Sequence, residues 1–407
     1  MRLPRIALLL CAVLAGSGPL AAQQPDRARA RDLGITFGGE TGPGNAITDV
    51  AGVTVGHVTL IRGDGKLVVG EGPVRTGVTA VLPRGTSAEP VFAATYALNG
   101  NGEMTGTIWI RESGLLSGPV MITNTHSVGA VHEGTVAWSV ARGSEGWSLP
   151  VVAETYDGLL NDINGFHVRP GHAAAALDSA RGGPVAEGNV GGGTGMICHG
   201  FKGGIGTASR VLPANAGGYT VGVIVQCNYG SRRLFSVEGV PVGTELADPA
   251  LRPCRVGNFE PTTSWFRDVK CPGSSSSLDR MEGRYEGMGS IIVVVATDAP
   301  LLPHQLDRVA RRVPLAIGRM GGLGENSSGD IFLAFSTQPI AADSLANPAR
   351  MLDNNRINPV FEATVQATQE AILNAMLAAE TMTGADGVRV HALPHDRLQA
   401  AMRKYGR

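Results

Sequence analysis

An uncharged aliphatic run, Ile291-Ile-Val-Val-Val-Ala296, begins immediately after Gly289-Ser290. A β-branched run of that kind reads as a strand buried on both faces. A strand rooted in a core holds its first residue, Ser290, rigidly. The approach Gly287-Met288-Gly289 lets the preceding backbone turn into conformations closed to other residues. A hydroxyl fixed beside such a carbonyl can attack it, open the chain between Gly289 and Ser290, and leave Ser290 as an N-terminal nucleophile. The same dipeptide also reads as an ordinary turn ahead of a strand, so the choice falls to the rest of the chain.

Several function classes are disfavoured by composition. The formal net charge of -1 over 407 residues argues against nucleic acid or an anionic membrane as the main partner. With 43% hydrophobic residues, 5% aromatics and 57 glycines, the expectation is a compact α/β protein rich in tight turns. Residues 1–22 read as a signal peptide: Arg2 and Arg5, an apolar stretch from Ile6 to Ala15, then Leu20-Ala21-Ala22 before a cut at Gln23. The stretch is too short to span a bilayer, and Leu10 ahead of Cys11 does not suit lipidation, so a soluble protein, periplasmic or secreted, is expected. Cys198 and Cys227 read as small buried residues. Cys254 and Cys271 flank a polar segment and are expected to form a disulfide worth about 3 kcal/mol in an oxidising compartment. No metal spacing is present, since His132-Glu133 lacks the second His of a zincin helix; neither a metal nor a cofactor is expected.

Residues 34–60 read as paired strands. Further strands are expected at Val78–Pro83, Pro119–Asn124, Pro150–Thr155, Gly217–Gln226 and Ile331–Ser336. Helices are expected over Gly129–Val140, over Pro303–Val313, and from an Asn358 cap with Pro359 at the first position and Gly384 beyond the end. Pro, Gly, Ser and charge dominate 231–287, which reads as a surface excursion. Strands before helices on both sides of Ser290 imply a layered α/β architecture.

Ser328 and Asp330 precede the strand at Ile331 and, as alternate residues, face one side. A hydroxyl and a carboxylate there can relay a proton or orient the nucleophile's amine; equally, they suit a turn capping a strand. Asn124-Thr125-His126, Glu154-Thr155-Tyr156-Asp157 and Asn228-Tyr229 end other strands, where they can donate to an oxyanion or anchor a substrate amine. Asn189-Val-Gly-Gly-Gly-Thr-Gly has no Gly-Lys-Ser/Thr behind it, so close packing explains it better than phosphate binding. Ser290 lacks the G-x-S-x-G setting, and His126, His132 and His304 remain available for a triad without being placed in one.

Asn45-Ala-Ile-Thr-Asp-Val-Ala-Gly-Val-Thr-Val-Gly-His, Asn99-Gly-Asn-Gly-Glu-Met-Thr-Gly, Thr123-Asn-Thr-His-Ser-Val-Gly, Lys202-Gly-Gly-Ile-Gly-Thr-Ala-Ser-Arg and Gly289-Ser-Ile-Ile-Val-Val-Val-Ala-Thr-Asp-Ala-Pro-Leu resemble the L-aminopeptidase/D-esterase family, which includes the β-peptidyl aminopeptidases. That resemblance implies a four-layer αββα sandwich similar to N-terminal nucleophile hydrolases, with different connectivity. It implies a serine aminopeptidase cut before its nucleophile into an α chain (23–289) and a β chain (290–407), and a homo-oligomer of cleaved units. By position, Ser290 matches the nucleophile, Ser328 and Asp330 its supporting pair, Asn228 an oxyanion donor and Tyr156 a tyrosine assisting that site. Glu154 resembles the carboxylate that binds the free amine of small peptide, amide or ester substrates. Some relatives carry Glu where Asp330 stands. The base is either the freed Ser290 amine or the Ser328–Asp330 pair. Competing expectations are an acyltransferase on the same fold and an uncleaved binding module.

Overall fold

A computed structural model describes residues 27–87, 89–257, 259, 271, 289–340 and 349–407. The expected signal peptide and the Gly287-Met288 approach lie outside the described residues. In chain order the strands are β1 (Thr54–Arg62), β2 (Val74–Thr86), β3 (Val91–Ala97), β4 (Leu115–Leu116), β5 (Val120–Asn124), β6 (Val151–Thr155), β7 (Ile197–Cys198), β8 (Phe201–Lys202), β9 (Gly204–Val211), β10 (Thr220–Asn228), β11 (Cys254–Arg255), β12 (Ser290–Thr297), β13 (Ile331–Ser336), β14 (Met382–Thr383) and β15 (Val388–Val390). The helices are α1 (Thr107–Ser113), α2 (Val128–Val140), α3 (Pro170–Asp178), α4 (Val242–Glu245), α5 (Pro303–Ala310), α6 (Val313–Arg319), α7 (Asn358–Leu377) and α8 (His395–Lys404).

Two sheets face each other. One runs β1-β2-β5-β6 and the other β4-β3-β13-β12-β10-β9. Every residue of β12 is buried, and its two faces enter different cores. Ile292, Val294 and Ala296 meet Ile122 and Ala153 of the opposite sheet, while Ile291, Val293 and Val295 join the core built with Leu306, Val309, Ile372 and Met376 of the covering helices. A third core packs Val78, Met121 and Val152 against Val131 of α2 and Ala173 of α3. The result is the expected αββα sandwich, because each sheet has an apolar face on both sides and needs a helix layer as well as its partner. β12 runs antiparallel to β10 and parallel to β13, whose other neighbour is β3. The two central strands of the larger sheet therefore follow Ser290 in the chain, and the strands flanking them precede it.

Several expectations need correction. Only β1 forms in the 34–60 stretch, and it pairs with β2. Ile47–Asp49 is instead a 3-10 turn, because the Asp49 carboxylate accepts the N–H groups of Gly44 (2.8 Å) and Ala46 (3.0 Å). The helix expected over Pro303–Val313 is two, α5 and α6. At α7 the capping position is Ile357 and Asn358 is already helical; the helix ends at Leu377, with Gly384 beyond its end as expected. Cys198 and Cys227 are buried but bonded to each other, and Cys254 pairs with Cys271 as expected. The described part of 231–287 is no surface excursion up to residue 257: Phe235, Val237, Val240, Val242 and Leu246 sit in the core, and Cys254–Arg255 pairs with Val388–Arg389. Average composition over that window hid a regular supply of apolar anchors. The remainder, including Ser274 to Ser277, lies outside the described residues.

Candidate active site

Ser290 opens β12 opposite Asn228, the last residue of β10, and Gly289 forms a parallel bridge with Ser328. The peptide bond between Gly289 and Ser290 is thus held from both sides by the ladder. Gly289 has φ +135°, and a Cβ there would stand 1.9 Å from the Asn228 carbonyl oxygen, so only glycine fits. Ser290 Oγ accepts the N–H of Gly329 at 3.1 Å, which fixes the hydroxyl toward the turn carrying the other candidates.

On that turn Ser328 Oγ donates to Asp330 Oδ1 at 2.6 Å, a charge-assisted distance. The same oxygen accepts Ile291 N–H at 3.2 Å, and Asp330 Oδ2 accepts Asn99 Nδ2 at 3.0 Å. Burial raises the Asp330 carboxyl above its ordinary range, against the pull of Ser328, Asn99 and Ile291. The expected pairing of Ser328 with Asp330 is present, within reach of Ser290 through Gly329.

Asn228 is oriented at both ends. Its Oδ1 accepts Ile197 N–H at 2.8 Å and its Nδ2 donates to the Tyr156 carbonyl at 3.0 Å, which leaves one Nδ2 hydrogen for another acceptor. The Cys198–Cys227 bond joins the residue after Ile197 to the residue before Asn228. Tyr156 enters the site through that carbonyl, while its hydroxyl lies over the turn at Gly158, where a Cβ would come 2.4 Å from it. Burial raises the Tyr156 phenol.

Glu154, on β6 of the opposite sheet, is 3% exposed. Its Oε1 accepts Glu103 N–H at 3.0 Å and its Oε2 accepts the Thr125 hydroxyl. Burial raises this carboxyl too, opposed by those two donors. Such a buried carboxylate, with a single donor on each oxygen, is suited to an ammonium group. His126 stacks on Phe166 near this carboxylate, with ring centroids 6.2 Å apart. The Gly191–Gly193 segment is a buried 3-10 turn packed against β2 and β9, as close packing requires.

Sequence reasoning left Asn99, Gly329 and Ile197 without roles, and placed Thr125 in a polar strand-end cluster without joining it to Glu154. The signal for Asn99 is its place directly after β3 in a run of alternating Asn and Gly. For Gly329 and Ile197 the backbone N–H does the work, and side-chain identity carries no trace of it.

A model of the family described as Peptidase family S58 matches residues 45–390. The chain is 52% identical over 401 residues to a β-peptidyl aminopeptidase, BapA, of Sphingosinicella microcystinivorans, covering 97% of both chains. It is 45% identical to the BapA of Sphingosinicella xenopeptidilytica over 388 residues, covering 92% of this chain and 91% of that one. Among solved structures, a Burkholderia sp. β-aminopeptidase superposes with a TM-score of 0.79 at 46% identity, covering 93% of this chain and 99% of that one. The L-aminopeptidase D-Ala-esterase/amidase of Ochrobactrum anthropi, described as a prototype of the serine aminopeptidases and a variant of the Ntn hydrolase fold, gives 0.80 at 46% identity with the same coverage.

Proposed function

The chain belongs to peptidase family S58 and is an aminopeptidase on an N-terminal-nucleophile fold; from that premise we propose that it matures by cutting itself between Gly289 and Ser290. Ser290 Oγ attacks the Gly289 carbonyl carbon, the peptide C–N bond breaks, and an ester remains that water hydrolyses. The proton lost by Oγ passes by way of the Ser328–Asp330 pair to the leaving nitrogen, which becomes the free α-amine of Ser290. The observation that carries this reading is the hold on the bond itself: Gly289 bridges Ser328, Ser290 pairs with Asn228, and Ser290 Oγ faces Gly329 N–H.

In the mature enzyme the substrate ammonium docks on Glu154, Ser290 Oγ attacks the carbonyl of the N-terminal residue, and an acyl-enzyme forms. Asn228 Nδ2 donates to the tetrahedral oxygen, a donor type whose loss costs ~10²–10³ in turnover. Tyr156 holds Asn228 in place through its carbonyl. The proton from Oγ goes to the Ser290 amine, whose ordinary pKa of about 7.7–8.0 suits neutral pH, or through Ser328 to Asp330. It then returns to the leaving amine, and water releases the product. No metal or cofactor enters this scheme. Both named Sphingosinicella relatives are β-peptidyl aminopeptidases, so N-terminal β-residues belong among the proposed substrates, beside small peptides, amides and esters with a free amine.

The enzyme is further proposed to be exported to the periplasm or secreted, a reading supported by two disulfides, and to assemble as a homo-oligomer of cleaved units. Denaturing electrophoresis with N-terminal sequencing tests the core of the reading. Two fragments, the smaller beginning at Ser290, are expected, and Ser290→Ala stays whole. A Ser290→Ala chain that still splits there rules the chemistry out.

A further inference from the structure

Asn99 lies just beyond β3 and turns its side chain to Asp330 and, through Nδ2 at 3.3 Å, to the Glu325 carbonyl. Its Oδ1 accepts the N–H of Asp330 at 2.6 Å while its Nδ2 donates to Asp330 Oδ2 at 3.0 Å, closing a ring between amide and acid. The loop it begins is fastened along the same turn. Leu98 N–H donates to the Asp330 carbonyl at 2.9 Å, and Asn101 Nδ2 donates to the Ser327 carbonyl at 2.8 Å. Gly102 and Gly329 touch backbone to backbone, with room for no side chain: a Cβ on Gly102 would lie 2.9 Å from the Gly329 Cα. One residue later, Glu103 N–H holds Glu154.

We propose that Asn99 is a positioning residue for the reaction: its amide turns Asp330 so that Oδ1 meets the Ser328 hydroxyl and Ile291 N–H, and supplies the donor that lets this carboxylate work ionised. The inference rests on the reading of Ser328 and Asp330 as the supporting pair of Ser290. A packing contact would fix the loop equally well but would leave the charge on Asp330 unaffected. Removing Nδ2 strips Oδ2 of its donor, and burial then pushes the carboxyl higher still. Glu325 and Tyr229 are the titratable side chains facing Asp330 among the described residues, and the Glu325 carboxylate pushes the same way.

The test compares Asn99→Ala and Asn99→Asp by two readouts: the pH dependence of cleavage at Gly289–Ser290, and kcat and KM for a free-amine peptide amide. Cleavage involves no substrate ammonium, so its acid limb reports on Asp330 without Glu154. In both variants cleavage and kcat fall roughly 10–100-fold near neutrality while KM stays the same. The acid limb moves up by about one pH unit or more in Asn99→Ala, and further in Asn99→Asp, where two carboxylates face each other. Asn99→Asp is nearly isosteric, so it answers the question even if Asn99→Ala folds poorly. Limbs that stay at the wild-type pH in both variants overturn the proposal. Asp330→Asn separates the two levels: if it cleaves at the wild-type rate, the supporting-pair reading itself fails; if it is inert while the Asn99 limbs do not move, only the role of Asn99 is lost.

Discussion

Replacing Gly289 by alanine isolates the geometry of the bond that is proposed to open. The added Cβ would stand 1.9 Å from the Asn228 carbonyl oxygen and 3.2 Å from the Tyr229 Cα, so the local backbone must retreat by about 1 Å before the nearer contact reaches 3.0 Å. A displacement of that size at a reacting centre costs about 10²-fold. The φ of +135° adds a conformational penalty of roughly 1–3 kcal/mol for any residue with a Cβ, itself ~10–100-fold if it must be relieved in the reacting geometry. Cleavage of freshly refolded Gly289→Ala precursor, followed by denaturing electrophoresis, is therefore expected to slow by on the order of 10²-fold or more. Residue 289 leaves the nucleophile once the bond is cut, so kcat per cleaved chain should match the wild type. Cleavage of the variant at the wild-type rate would refute the claim that this backbone is held ready for attack, and a low kcat in fully cleaved chains would show that Gly289 matters for another reason.

Further outcomes follow from burial and bonding at Glu154, His57 and the disulfides. Glu154→Gln should raise KM for free-amine substrates by ~10–100-fold, the worth of a charged hydrogen bond, and leave N-acetylated analogues unaffected in steady-state assays. Because the Glu154 carboxyl is raised, wild-type KM should also climb as pH falls through that raised value, a trend the Gln variant loses. His57 is buried with its pKa lowered to about 4 from 6.5, so the unfolded chain binds the extra proton first. Its contribution is intact above pH 6.5 and is lost as pH falls toward about 4, and His57→Gln should flatten the dependence of unfolding free energy on pH there by about 1.4 kcal/mol per unit in urea titrations. Replacing Cys271 by Ser opens the loop closed with Cys254 and should cost about 3 kcal/mol by the same titration, while non-reducing mass spectrometry of the wild type should find both pairs oxidised.

The layered fold was legible because its central strands are unbroken apolar runs and its helices follow them. Ile331–Ser336 is a strand at the expected residues, and α2 begins one residue before its expected start. Turn chemistry misled where polar side chains bond locally: Asp49 gathers N–H groups and makes a 3-10 turn of a stretch that alternates like a strand. Composition misled at 231–257, where scattered anchors such as Phe235 and Val242 outweigh their polar surroundings. At the site, Ser328 and Asp330 could be seen as neighbours on one strand end, since two residues of separation suffice. Asn99 could not be joined to Asp330 from the sequence, because their contact spans 231 positions and depends on β3 pairing with β13. The bond between Cys198 and Cys227 was hidden likewise: apolar neighbours suit a buried thiol and a buried disulfide equally well.

The order of strands in the larger sheet bears on what would follow the proposed cut. β12 and β13 are wedged between β10 on one side and β3 on the other, so the second fragment is gripped by the first along both edges. Neither piece can drift off without unzipping the middle of the sheet, and each alone would present an unsatisfied row of amides and carbonyls to water. A nick placed there frees a reactive terminus yet leaves the body of the protein undivided. Co-expressing the halves as separate genes should accordingly yield far less assembled enzyme than the single transcript does.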